Sequence, residues 1–265
     1  MRTMIQTRWI CQECGAICVS WVRRCQECGG WDTFLEERAR GEAVQGKNGQ
    51  PLQTSAIRFP SIRIPREKRL QTGLEAFDRV VGGGILAGSV LLIGGDPGIG
   101  KSTLVLRVCD QIAERTGPVL YASGEESIQQ IALRGRRIGV ASQNLFILHE
   151  TSLEHIFETA DALRPTVVAL DSIQMVASAS LDTAAGTVGQ LREATIRCVL
   201  YAKHTGRAIV LIGHVAKDGS LAGPKSLEHL VDVVLYVEGG ASREERALRA
   251  SKNRFGVMET GMFIL

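Results

Sequence analysis

Gly95-Asp96-Pro97-Gly98-Ile99-Gly100-Lys101-Ser102 follows the apolar run Val90–Gly94 and leads into a helical pattern from Lys101 to Arg115. The octapeptide fits G-x4-G-K-[ST] without a mismatch. It also lies where that motif has physical meaning, between a buried strand and a helix start. Its glycines let backbone N–H groups turn inward around phosphate oxygens, and the first helical turn adds its positive dipole end. Gly95 to Ser102, together with Thr103, is therefore the expected cradle for ATP. Lys101 is placed to reach the β- and γ-phosphates, and Ser102 to ligate Mg2+.

Outward from this loop, apolar runs alternate with helical patterns. Val119–Ala122, Leu145–Leu148, Val167–Leu170 and Ala208–Ile212 read as buried strands. Ile128–Ile138, Leu153–Leu163 and Val188–His204 read as the helices between them. Such alternation predicts an α/β domain whose mostly parallel sheet is covered on both faces. Three further strand-like runs, Val231–Val237, Glu245–Ser251 and Val257–Leu265, close the chain. This domain is expected over residues 58–265. Residues 35–57, polar and carrying Gly41, Gly46, Gly49 and Pro51, read as a linker.

Three strand ends carry candidate chemistry. Asp171 ends Val167–Leu170, the place for a carboxylate that holds Mg2+, although an Asp at a strand tip can also be structural. Glu125 and Glu126 follow Val119–Ala122, a strand expected beside the phosphate-loop strand. One of them, with Glu125 preferred, is suited to orient an attacking water, and the other to cap the helix that follows. His214 ends Ala208–Gly213, one step beyond the Asp171 strand. There it is placed to sense the γ-phosphate, or to serve only as a hydrogen-bonded surface residue.

The amino end reads as a separate module over residues 8–34. Cys11-x2-Cys14 and Cys25-x2-Cys28 are ten residues apart. Each C-x2-C turn presents two thiolates, and two such turns complete a tetrahedral, structural Zn2+ site. A redox pair is the competing reading. Four thiolates give the site a net charge of −2, which Arg8, Arg23 and Arg24 are near enough in sequence to offset. Trp9, Trp21 and Trp31 all fall in this unit. A module so small needs metal and large apolar side chains for a core, so packing is preferred to base stacking.

The 265 residues, 45% hydrophobic and 22% charged, describe a soluble globular protein. No apolar run approaches the roughly 20 residues that span a bilayer, and Arg8, Trp9 and Cys11 interrupt any secretory pattern, so a cytoplasmic location is expected. Net charge is only +3. Arg58, Arg63, Arg66, Lys68 and Arg69 crowd one stretch, as a basic patch or as a solvated linker would. Seven cysteines, an odd number, suit a disulfide framework poorly, and Cys18, Cys109 and Cys198 are expected to be inert thiols.

Taken together, these residues resemble the bacterial DNA-repair ATPase family RadA, also called Sms. The four-cysteine module followed by Trp31-Asp32-Thr33 is similar to that family's zinc finger. Thr72-Gly-Leu-Glu75 and Gly82-Gly-Gly84 are similar to its RecA-type core. Ser123-Gly-Glu-Glu-Ser127, Asp171-Ser-Ile-Gln174, Gly213-His-Val215, Ala222-Gly-Pro224 and Leu227-Glu-His229 match in order. Lys252-Asn-Arg-Phe-Gly256 is the pentapeptide that sets the family apart. The resemblance covers nearly the whole chain. It stops at Leu265, where the family's further domain, similar to Lon protease, is expected to begin. Ala185 also departs from the usual proline.

The resemblance implies a RecA-like P-loop ATPase core preceded by a zinc-ribbon-like module. It further implies a DNA-dependent ATPase that forms a ring, a hexamer in that family reading, and helps RecA process branched recombination intermediates as a translocase. Lys252 and Arg254 are two apart, so an extended segment turns both to one face. With the family reading, they are expected to reach ATP on a neighbouring subunit, while Lys101, Glu125 and Asp171 act within their own. Lys217 and Lys225, in the loop Ala216–Lys225, are candidate DNA contacts, as is the loop Ser178–Gly189. The alternatives are an ATP-switched signalling or interaction protein that does not act on DNA, and a small-molecule kinase.

Overall fold

In the computed structural model, residues 6–39, 58–61, 69–214, 225–239 and 245–264 are described. The amino-terminal module is a small antiparallel sheet in which β1 (Gln6–Cys11) pairs with β2 (Ile17–Cys18) on one side and β3 (Phe34–Ala39) on the other. β3 runs past the expected module end at residue 34. Gln6 lies opposite Ala39, so residues 35–39 belong to the module's sheet and not to a linker. The reason is pairing: β1 offers its whole free edge, and Phe34 is buried beside Cys11 and Cys25.

Next come β4 (Arg69–Leu70), α1 (Glu75–Val80) and β5 (Ile85–Leu86), with β4 and β5 paired around the helix. The alternating core follows: β6 (Val90–Gly95), α2 (Lys101–Thr116), β7 (Val119–Ser123), α3 (Ile128–Arg137) and β8 (Leu145–His149). It continues through α4 (Leu153–Leu163), β9 (Val167–Asp171), α5 (Val188–Thr205), β10 (Ala208–Ile212) and α6 (Lys225–Glu228). β11 (Val233–Gly239), β12 (Glu245–Asn253) and β13 (Thr260–Ile264) complete it.

Among the described residues the main sheet has eight strands in the order β13-β12-β11-β6-β10-β9-β7-β8. β11 through β8 are parallel, and β12 and β13 add an antiparallel edge. This is the mostly parallel α/β core that the alternation predicts, as the resemblance to a RecA-like core also implies. Period-two side chains feed two cores. Leu91, Ile93, Tyr121, Ala169 and Val210 face one layer; Val90, Leu92, Leu120, Val168 and Leu211 face the other. Serines and threonines start the helices: Ser127 forms a reciprocal capping box with Gln130, and Ser152 and Thr187 cap α4 and α5. Each such cap is worth about 1 kcal/mol.

The order corrects one expectation. β7 is not beside the phosphate-loop strand, because β10 and β9 lie between it and β6. β10 in turn sits on the loop side of β9, not beyond it. The cause is burial. β9 and β10 are apolar at almost every position and fully enclosed, so they take central places. β8 has no buried residue, with Phe146 42% exposed, and takes the edge.

Candidate functional site

The phosphate loop joins β6 to α2 as the motif requires. Gly95 (φ 148°) is needed there for a second reason, since a Cβ would stand 2.5 Å from the Val237 carbonyl oxygen of β11. Lys101, the first residue of α2, is 3% exposed, and its Nζ donates to the carbonyls of Gly95 and Asp96 at 2.9 Å each. Burial lowers its pKa, while Asp171, Glu125 and Asp96 pull it back up. Ser102 Oγ donates to Asp171 Oδ1 at 3.1 Å, so the hydroxyl and the carboxylate predicted to share Mg2+ do meet. Pro97 and Gly98 lie at the turn of the loop and Gly100 caps α2, which Thr103 continues. Arg246 of β12 supports the loop from behind, its Nε donating to the Ile99 carbonyl at 2.8 Å.

Glu125 reaches this centre although its strand is remote from β6. Ser123 Oγ, at the end of β7, accepts the N–H groups of Glu125 and Glu126 at 3.3 and 3.1 Å, which fixes the turn. Glu125 Oε1 then accepts Ser172 Oγ, just after β9, and faces His214 Nε2 at 3.1 Å, just after β10. One carboxylate thus gathers three strand ends. The His214 bond, followed by that of Ser172, outweighs burial and holds the Glu125 carboxyl below the ordinary range. Glu126 turns away and pairs with Arg134 of α3 at 2.7 Å. Arg134 Nη2 also donates to the Tyr121 hydroxyl at 3.2 Å, and Tyr121 donates to Asp171 Oδ2. Burial, with Asp171 close by, keeps the Tyr121 phenol protonated well above its usual range. The Asp171–Ser172 peptide is cis.

Ser172, Tyr121, Arg134 and Arg246 were not legible as site residues. Tyr121 and Arg134 follow the periodicities of a strand and a helix, and nothing in one sequence marks their polar tips. Ser172 had a signal, its place directly after Asp171. Gln174 Nε2 donates to the His214 carbonyl at 3.3 Å, joining that motif to the same centre.

The four module cysteines converge. Their Sγ atoms lie within 4.8 Å of one another, with Cys11–Cys28 at 3.7 Å and Cys14–Cys25 at 3.5 Å. A tetrahedron with Zn–S legs of about 2.3 Å has edges of about 3.8 Å, so the sulfurs fit a four-thiolate zinc site. Both knuckles share one build. Gly15 N–H donates to Cys11 O and Gly29 N–H to Cys25 O, each glycine at positive φ. Arg23 and Arg24 turn elsewhere, to Asp32 and to the face of Trp31. Trp9 packs against the cysteine core, but Trp21 and Trp31 are 50% and 61% exposed, so packing does not account for those two. Cys109 and Cys198 are fully buried, and burial pushes the Cys198 thiol up to about 12.

Lys252 and Arg254 are brought together, but far from their own phosphate loop. Lys252 Nζ donates to the Glu228 carbonyl at 2.6 Å, and Arg254 Nη1 to Asp232 Oδ1 at 3.2 Å. Asp232 adjoins Val90, at the start of β6, and Gly95 ends that strand. At about 3.3 Å per residue Asp232, which holds Arg254, lies roughly 16 Å from the loop along β6, at the opposite end of that strand. Arg254 follows β12 in a turn, and the register slips beside Ser251, so simple alternation does not explain their shared side. The expected loop Ser178–Gly189 ends at Thr187, where α5 begins, and is fastened by buried Gln190, whose amide accepts Ser178 N–H at 2.9 Å and donates to Thr183 O at 2.9 Å. Lys217 and the Lys225 side chain, like Arg63, Arg66 and Lys68, lie outside the described residues. No described helix is long and apolar enough to cross a membrane.

A family model described as AAA domain matches residues 56–220. The chain is 45% identical over 256 residues to DNA repair protein RadA of Pseudomonas aeruginosa, covering 96% of this chain and 56% of the relative. It is 43% identical over 263 residues to the RadA of Bacillus subtilis, covering 97% and 57%. With the RadA of Chlamydia trachomatis, identity is 42% over 258 residues, covering 97% and 56%. The resemblance read from the motifs therefore holds over almost the whole sequence. The chain spans little more than half the length of these curated relatives.

Proposed function

The chain belongs to the AAA domain family, and from that premise we propose that it is a DNA-stimulated ATP hydrolase of DNA repair. The observation that carries ATP hydrolysis is the meeting of Ser102, Asp171 and Glu125 at the carboxyl ends of the strands, in front of Lys101. Mg2+, when bound with ATP, neutralises developing phosphate charge. Ser102 and Asp171 would hold it, and the backbone from Gly95 to Thr103 would cradle the phosphates, within reach of the Lys101 ammonium. Glu125 orients the attacking water, and its bond to His214 carries loss of the γ-phosphate to the segment beyond β10. Glu126 is committed to Arg134 and keeps a structural role.

Lys252 and Arg254 act on the neighbouring subunit. Their distance from their own loop supports this, because a cation supplied across an interface stabilises the transition state only where two copies meet. The protein then works as a homo-oligomeric ring, of six subunits in the RadA reading, translocating on single-stranded or branched DNA and aiding RecA in branch migration. Lys217 and Lys225 face the DNA backbone, and Zn2+ on Cys11, Cys14, Cys25 and Cys28 stiffens the amino-terminal module, whose domain ends near the linker. The relatives' name, DNA repair protein RadA, supports the DNA part of this reading. The test is steady-state ATP hydrolysis with and without single-stranded DNA. Stimulation is expected; an assembled ring whose rate ignores DNA would favour an ATP-switched signalling or interaction protein.

A further inference from the structure

Asp232 is 3% exposed and belongs to none of the motifs above, yet its carboxylate takes bonds from three residues. It sits just before β11, against the first residue of the phosphate-loop strand. Its N–H donates to the Val90 carbonyl at 3.0 Å, and its Oδ2 accepts the Val90 N–H at 3.1 Å. On the other side it holds the 252–256 segment. Arg254 N–H donates to the Asp232 carbonyl at 3.2 Å, and Arg254 Nη1 to Oδ1 at 3.2 Å. Lys203, near the end of α5, adds its Nζ to Oδ2 at 2.7 Å and stands 5.6 Å over the Phe255 ring.

A buried carboxylate left without its cations is costly, so this one must keep partners in any conformation of the fold. The two cations are themselves half exposed, at 48% for Lys203 and 51% for Arg254, and free to move outward. The rigid member of the cluster is therefore Asp232, and the guanidinium takes its position from it. Main-chain and side-chain bonds together fix where Arg254 leaves the sheet. Arg69 adds to this by donating from Nη2 to the Phe255 carbonyl at 2.7 Å.

We propose that Asp232 is a positioning residue for Arg254, aiming the guanidinium at the neighbouring subunit's nucleotide and tying that aim to the base of its own phosphate-loop strand. The inference rests on the reading of Arg254 as a cation supplied across the interface. Lys203 is the second ligand of the same carboxylate, which keeps the buried charge compensated when Arg254 shares its guanidinium with a phosphate.

The test is a double-mutant cycle on ATP hydrolysis by the full 265-residue chain. Arg254→Ala, Asp232→Asn and the double variant are compared for kcat and for KM of ATP. Asn keeps the size and an acceptor for Val90 but loses the charge that aligns Arg254. A misplacement of the order of 1 Å costs up to about 10²-fold in rate, so Asp232→Asn should lower kcat by about 10- to 100-fold with KM little changed. In the Arg254→Ala background the same change should cost nothing more. Equal losses in both backgrounds, or no loss in wild type, overturn the proposal while leaving Arg254 its role. An Arg254→Ala variant of normal rate removes the interface reading and the proposal with it. Should Asp232→Asn not fold cooperatively, Lys203→Gln replaces it, read by unfolding midpoint. With one cation gone, adding Arg254→Ala must destabilise more than it does in wild type, and an equal loss shows that the carboxylate does not bind the two together.

Discussion

Replacing Glu125 by Gln separates the two acidic candidates and tests how the site handles its water. The change is nearly isosteric. The Gln carbonyl oxygen can still accept from Ser172 and from a protonated His214 Nε2, so the meeting of three strand ends survives. What disappears is the negative charge. A positioned general base is worth about 10²- to 10⁴-fold, most when its pKa lies near the working pH. Here the His214 bond holds the carboxyl below its ordinary 4.5, so it takes up a proton poorly and mainly orients the water. The loss should therefore fall at the low end, about 10²-fold in kcat, or about 2.7 kcal/mol of transition-state stabilisation at about 1.4 per tenfold. KM for ATP should barely move, because Lys101 and the loop amides are intact. The sign of the pH effect follows from the same contact. A depressed folded pKa keeps Glu125 ionised at ordinary acid pH, and its contribution to rate and stability is lost only as pH falls through that lowered value. His214→Ala removes the largest cause and should move the acid limb upward. Steady-state hydrolysis between pH 4 and 8, for wild type, Glu125→Gln, Glu126→Gln and His214→Ala, decides it. A Glu125→Gln enzyme within twofold of wild type, with Glu126→Gln slowed instead, would refute the assignment.

Gly95→Ala should abolish nucleotide binding, measured by equilibrium titration with ATP, because its Cβ would meet the Val237 carbonyl at 2.5 Å and force the loop open; unchanged affinity would show that the loop tolerates the shift. Elemental analysis should find one zinc per chain, and Cys25→Ser should lose it and expose the module to protease while the unfolding midpoint of the core stays put. Leu211→Ala, in the middle of fully enclosed β10, should lower the unfolding free energy in urea by about 2–5 kcal/mol with the m-value unchanged.

Much of the core was legible because its signals are local. Leu153–Leu163 reads as a helical run between two apolar strands, and α4 has those limits. The phosphate loop and the four cysteines carry their geometry in their spacing. Strand order does not work this way. β7 is next in sequence after the loop, yet two strands separate it from β6, because the order depends on which strands must be enclosed on both faces. The same long-range logic hid the support of the site. Tyr121 and Arg134 meet Asp171 only once β7, α3 and β9 are assembled. Asp232 lies inside the strand-like run Val231–Val237 with nothing to mark it, and its burial against Val90 appears only when β11 pairs with β6.

Mixing two crippled variants tests the shared site most directly. Lys101→Ala spoils a subunit's own phosphate loop, and Arg254→Ala spoils what it offers its neighbour. If the site is built from two copies, each variant alone is strongly slowed, and an equal mixture regains about a quarter of the wild-type hydrolysis rate, since random assembly in a closed ring pairs a sound loop with a sound Arg254 at about one boundary in four. A mixture no faster than its components, in assemblies shown to contain both, would contradict the account.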